Sequence, residues 1–178
     1  MARLTPESTE IGTRKMNEEQ RLATLHGYGL LDTPPEEKFD DVVRRAAKRF
    51  GVPVALISLI DADRQWFKAK IGLEPSETPR SMAFCSYAIE GDDVMVVCDA
   101  TADDRFTDNP LVTGDPSIRF YAGAPIVADD GSKLGTVCVI DRKMRDNFDE
   151  TERADLVGFS REVSAIAAAR RKNAEEQS

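Results

Sequence analysis

The chain has 178 residues, 41% of them hydrophobic and 31% charged, with a formal net charge of −8; this is the composition of one folded domain with a substantial core. The acidic balance argues against a sequence-independent nucleic-acid binder and against an electrostatic membrane anchor, since both need a basic face. No apolar run approaches the ~20 residues of a spanning helix, and the N-terminus lacks the apolar stretch of a secretory signal, so a cytoplasmic protein with no nucleic-acid or membrane partner is expected.

Residues 1–16 are polar, lack a helical apolar period and are expected to be a flexible segment. Asn17 followed by Gln20 resembles a capping box, and Leu22, Leu25 and Leu30 supply one apolar stripe, which predicts a first helix near 17–30. Thr33-Pro34-Pro35-Glu36-Glu37 predicts the start of a second helix, with proline in the first turn and glutamates at the positive end of the dipole. Phe39, Val42, Val43, Ala46, Ala47 and Phe50 recur at helical spacing, and Gly51 is a plausible C-cap.

Val54 to Ile60 is a continuous apolar run, as in a central strand covered on both faces. After a turn at 61–64, Gln65 to Ile71 alternates, placing Phe67, Ala69 and Ile71 on one face and Trp66, Lys68 and Lys70 on the other. Residues 72–80 hold Gly72, Pro75 and Pro79 and are expected to be loop. A short helix over 81–89, a strand over 94–98 and a long polar segment from Asp99 to Pro116 follow; loops of that length within a domain are usually functional. Two further strands, Ile118 to Ile126 and Gly135 to Asp141, are joined by the turn signal Asp129-Asp130-Gly131. Asp149 to Arg170 closes the chain as a helix with Leu156, Phe159, Val163 and Ile166 along one stripe. Hairpins segregated from flanking helices predict an α+β fold on a mainly antiparallel sheet.

Cys85, Cys98 and Cys138 lie in apolar segments, and their number and spacing give neither a disulfide framework nor a zinc site. The bland expectation is three small buried hydrophobes. With Cys98 and Cys138 both expected within strands, neither is expected to pair with Cys85. The carboxylates of Asp103-Asp104-Arg105 lack the alternating pattern of a calcium loop, and no metal or cofactor is expected.

Several segments taken together resemble the GAF domains of bacterial sensor histidine kinases and diguanylate cyclases: residues 28–36, Ile60 to Lys68, Pro79-Arg80 with Phe84-Cys85, Asp99 to Phe106, Asn109 to Val112, and the strand pair from Ile118 to Asp141. The resemblance covers residues 17–170. It implies a single domain over 17–172, with 173–178 as a tail, built on a five- or six-stranded sheet of order 2-1-5-4-3 flanked by helices on both faces. The terminal helices would cover one face, and loops and short helices would cover a small-molecule pocket on the other. It also implies a non-catalytic sensory and regulatory module that dimerises through its terminal helices, here residues 17–30 and 151–172. Any catalytic output would come from an attached or partner kinase or cyclase domain.

The fourth strand carries the sharpest site expectation. Strand alternation puts Arg119, Tyr121 and Gly123 on one face, a set suited to an anionic or planar ligand through bidentate donation, stacking and close approach. Phe84, Cys85, Asp99, Phe106, Arg119 and Tyr121 are the candidate ligand-binding residues. The bland alternative for Arg119 is a salt bridge to Asp99, Asp103 or Asp104. A second function is a Cys85-dependent redox enzyme of the free methionine sulfoxide reductase type, which by resemblance needs a second cysteine just before the fourth strand; Ser117 to Tyr121 holds none. A third is a ligand-free dimerisation scaffold. Cys85 is followed by Ser86 rather than by histidine, which counts against a covalent bilin.

Overall fold

The computed structural model describes residues 17–177. Two helices open the described chain, α1 (Glu18–Tyr28) and α2 (Glu37–Phe50). Three strands follow: β1 (Val54–Ile60), β2 (Arg64–Ile71) and β3 (Glu77–Pro79). A 3-10 turn at Arg80–Met82 leads into α3 (Cys85–Ala88) and β4 (Met95–Val97). A second 3-10 turn at Ala100–Ala102 and α4 (Pro110–Thr113) precede β5 (Phe120–Val127), β6 (Lys133–Asp141) and the long α5 (Glu150–Glu176). The strands form one sheet in the order β3-β2-β1-β6-β5-β4, and every neighbouring pair is antiparallel. Without the short edge strand β3, this is the 2-1-5-4-3 order anticipated above.

Caps set the helix boundaries. The Asn17 side chain accepts from the Glu19 amide, so α1 begins there without the capping box read from Gln20. The true capping box is at α5, where Asp149 accepts from the Glu152 amide and Glu152 accepts from the Asp149 amide. Gly29 and Gly51, both left-handed, end α1 and α2. The α2 helix starts at Glu37, later than Pro34 and Pro35 indicate, because Glu36 is committed elsewhere: its carboxylate takes both the buried Lys68 ammonium at 2.5 Å and the Arg170 guanidinium at 2.9 Å.

Lys68 also explains the one strand whose faces the sequence misassigns. Ile57 pairs with Ala69 but the next residue, Ser58, pairs with Phe67, so Lys68 is the extra residue of a β-bulge. Trp66 and Ala69 therefore join the core on the helix side, while Phe67 joins the opposite core. The Lys68 Nζ is fully enclosed, donating to Thr33 Oγ1 and the Pro34 carbonyl at 2.7 Å each, above the Phe39 ring. Burying an ammonium is tolerable only with such complete pairing.

The sheet separates two cores. On one face α1, α2 and α5 pack against Ala55, Ile57, Leu59, Ala122, Ala124 and Val137. On the other, Val54, Leu56, Phe67, Tyr121, Cys138 and Ile140 lie under α3, α4 and their connecting segments. Strand alternation generates both sets from the same strands. The segments expected to be plain loop carry short elements: β3 lies within 72–80, and a 3-10 turn and α4 lie within 99–116. The last helix continues past residue 172 to Glu176. No helix among the described residues is long and apolar enough to cross a membrane.

Candidate functional site

A cavity of about 370 Å³ lies between the sheet and the short covering elements. Its floor is Val54 and Leu56 of β1, Phe67 of β2, Tyr121 of β5, and Cys138 and Ile140 of β6. Phe84 and Cys85 close one wall and Leu73, Leu111 and Ile118 another; Gly72, Glu74, Pro75, Asp115 and Arg142, all solvent-exposed, form the mouth. The volume is at the small end of ligand pockets, and the lining is mostly apolar, as such pockets are. Gln65 and Thr78 add polarity, but their groups are already engaged: the Gln65 amide donates to Thr78 Oγ1 at 3.0 Å and accepts from Ser58 Oγ at 2.6 Å.

Three of the six candidate residues, Phe84, Cys85 and Tyr121, line this cavity; Asp99, Phe106 and Arg119 do not. Arg119 lies just before β5 begins, where strand alternation does not yet hold. Its Nη1 donates to the Val112 carbonyl at 2.9 Å and the Ile118 carbonyl at 3.0 Å, tying α4 to the strand. It meets neither a ligand space nor the salt bridge offered as its alternative. Asp99 caps the second 3-10 turn, accepting from the Thr101 amide and hydroxyl. Phe106 is stacked behind Phe84, centroids 3.9 Å apart and nearly parallel, so it backs the wall rather than forming it. Arg105 lies over the Phe106 ring and pairs with Asp103 at 2.8 Å, so this acidic stretch pins itself.

The glycine gap expected beside Tyr121 exists, but the phenol fills it. A Cβ built on Gly123 would collide with the Tyr121 hydroxyl. The ring thus leans along the strand over Gly123, and its hydroxyl donates to Cys85 Sγ at 3.1 Å.

Cys85 is the most densely contacted polar atom of the site. Thr136 Oγ1 also donates to its sulfur at 3.1 Å, and Cys138 Sγ lies 3.9 Å away. All of these groups are buried. Burial opposes ionisation of Cys85, but the hydrogen bonds from Cys138, Thr136 and Tyr121 outweigh it and bring the thiol down to about 7. The hydrogen bond to Cys85, followed by burial and the Cys85 charge, holds Cys138 well above an ordinary thiol. Burial, then the charge of Cys85, raises Tyr121 well above an ordinary phenol, so it stays a donor. The expectation that strand placement separates Cys138 from Cys85 is corrected here. Alternation puts Cys138 on the same face as Ile140 and Thr136, directly beneath α3. That parity was available in the sequence.

The apolar stripe of α5 faces the sheet. Leu156 and Val163 are buried in the molecule's own core, with Phe159 and Ile166 packed at its edge. Arg170 and Arg171 hold the far end of α5 to the Gly29 carbonyl and the Tyr28 ring of α1.

A six-stranded antiparallel sheet with terminal helices on one face and a cavity under short elements on the other defines a GAF-like α+β domain. A model of the GAF domain family matches residues 34–166, and the chain belongs to that family. Over 149 residues it is 48% identical to the cyclic di-GMP phosphodiesterase PA2567 of Pseudomonas aeruginosa, covering 84% of this chain and 25% of that protein. The chain therefore spans about a quarter of the length of the curated relative it matches. The GAF domain of a phosphoenolpyruvate-protein phosphotransferase from Coxiella burnetii has a TM-score of 0.64 at 20% identity, over 89% of this chain and 99% of that one. The free methionine-R-sulfoxide reductase of Neisseria meningitidis has a TM-score of 0.62 at 18% identity, over 87% and 90% of the two chains. At these identities the structural likeness is one of fold.

Proposed function

We propose that this GAF domain is a non-catalytic cytoplasmic sensor whose cavity takes a small, largely apolar molecule and whose terminal helices pass the occupancy to an output domain. The supporting observation is the cavity itself, about 370 Å³ beneath four-residue helices that a ligand can displace. The ligand's apolar body would lie on Val54, Leu56 and Ile140, with an acceptor group reaching the Thr78 hydroxyl, which accepts from Gln65 but keeps its own proton to donate. A cyclic dinucleotide is disfavoured there. Its two phosphates would face one arginine, Arg142, flanked by the carboxylates of Glu74 and Asp115.

Kinship with a protein named as a cyclic di-GMP phosphodiesterase favours an output domain that degrades such a messenger over a kinase or cyclase. Signalling requires that the ligand bind two conformations with different affinity. The segment from Asp99 to Pro116 is the element proposed to differ, because it supplies Leu111 and Asp115 to the cavity lining and Asn109 links it to the Met82 carbonyl, just before the Phe84–Cys85 wall. Self-association, if it carries the signal, uses the outer faces of α1 and α5, since the inner stripe is occupied; light scattering that gives a monomer mass at high concentration rejects it.

The test is native mass spectrometry of the protein purified from its own source, beside Val54→Phe, which fills the cavity. The expected result is a retained small molecule in the parent and none in the variant. Bare protein in both, with a parent that no small apolar probe shifts in thermal unfolding, contradicts the proposal and leaves a ligand-free scaffold.

A further inference from the structure

Two thiols face each other across one end of the cavity. Cys85 sits in the four-residue α3, and Cys138 sits in β6, which is paired on both sides by β1 and β5. Their sulfurs are 3.9 Å apart and both residues line the cavity. We propose that Cys85 and Cys138 form a reversible disulfide when a hydroperoxide enters the cavity, which makes the domain responsive to oxidants. The proposal stands apart from the ligand reading, because the chemistry needs two thiols and a path to them rather than a bound effector.

Geometry supports the pairing. A disulfide has an S–S distance of about 2.0 Å, so the sulfurs must close by roughly 1.9 Å. The strand residue is fixed by pairing on both sides, whereas a single turn of helix can rotate or shift. The mouth at Gly72, Glu74, Pro75, Asp115 and Arg142 opens the cavity that both cysteines line to a small oxidant.

The environment orders the steps. Two hydroxyls, of Tyr121 and Thr136, point at the Cys85 sulfur and stabilise its thiolate. That thiolate attacks the terminal peroxide oxygen; the O–O bond breaks, the alkoxide leaves and takes up the thiol's proton as an alcohol, and Cys85 becomes a sulfenic acid. The hydrogen bond to the Cys85 thiolate and its charge, which together with burial held Cys138 protonated, are now gone. The Cys138 sulfur attacks Cys85 Sγ, the S–O bond breaks, and the hydroxide leaves with the Cys138 proton as water. Two thiols have lost two electrons and two protons, and one hydroperoxide has become one alcohol and one water. A dithiol reductant reverses the bridge by exchange, becoming a disulfide itself. The bridge draws α3 toward β6 and narrows the cavity at its Phe84–Cys85 wall.

The full chain carrying Cys98→Ser, which keeps only the pair, is treated with hydrogen peroxide and its mass measured without reductant. The expected outcome is a loss of two hydrogen atoms, loss of both maleimide-reactive thiols in the denatured protein, one linked peptide joining Cys85 to Cys138, and full recovery with a dithiol. Adding Cys138→Ser in the same background is expected to stop the reaction at a Cys85 sulfenic acid that dimedone traps. Stable oxygen addition at Cys85 without a cross-link in the parent overturns the proposal, as does a disulfide between two chains or inertness of both thiols in the folded protein. The parent experiment decides even where the second variant fails to fold.

Discussion

The two faces of the sheet are built from the same strands yet are filled differently. On the helix face, three long helices lay ridges at a spacing of three and four residues onto small strand residues, Ala55, Ala69, Ala122 and Ala124, and that core is closed. On the other face, large side chains such as Phe67, Tyr121 and Ile140 stand beneath helices of only four residues, which present no repeating ridge and leave a cavity of about 370 Å³. The larger apolar core lies on the first face, and the cavity lies on the second.

The largest effect is expected on the closed face. Leu156→Ala removes a fully buried side chain from α5 and should cost about 2–5 kcal/mol in chemical denaturation, because the rigid packing cannot collapse onto the space. Gly123→Ala tests the other face. Its new methyl meets the Tyr121 hydroxyl, so a loss of about 1–3 kcal/mol is expected from overpacking, together with slower alkylation of Cys85 once the phenol donor that stabilises its thiolate is displaced.

A smaller effect is electrostatic and lies on the helix side. Hydrogen bonding to Arg21, opposed by burial and assisted by Arg80, holds the Glu18 carboxylate at about 2. The folded value lies below the unfolded one of about 4.3, so this contribution is present above that pH and is lost as pH falls through about 2. Glu18→Gln should flatten the acid limb of denaturant midpoint against pH. Glu18 is half-exposed, so the change is modest. The subtlest contrast is between equal truncations: Ile57→Val on the closed face is expected to cost about 1.5 kcal/mol and Ile140→Val at the cavity about 0.5 kcal/mol, the two ends of the usual range.

The elements with strong periodicity were legible in the sequence: both early helices, β1, the β5–β6 hairpin and α5. So was the parity that sends Tyr121 to the cavity and Phe120 to the helices. What escaped depends on partners distant in sequence. The bulge at Lys68 exists because its ammonium finds Glu36 and Thr33, and no local pattern in β2 announces that. Arg119 looked like a ligand donor because a charge beside a strand needs a partner, yet two backbone carbonyls supply it. Cys138 was overlooked although the same alternation that placed Tyr121 would have found it.

Dissolved xenon, which enters apolar cavities but not close-packed cores, offers the most direct measurement when followed by amide chemical shifts of the isotope-labelled protein. Saturable shifts are expected at Val54, Leu56, Phe67, Tyr121 and Ile140, with Val42, Leu156 and Val163 unmoved. Silence at the first group, or equal response on both faces, would contradict a hollow confined to the face under α3 and α4.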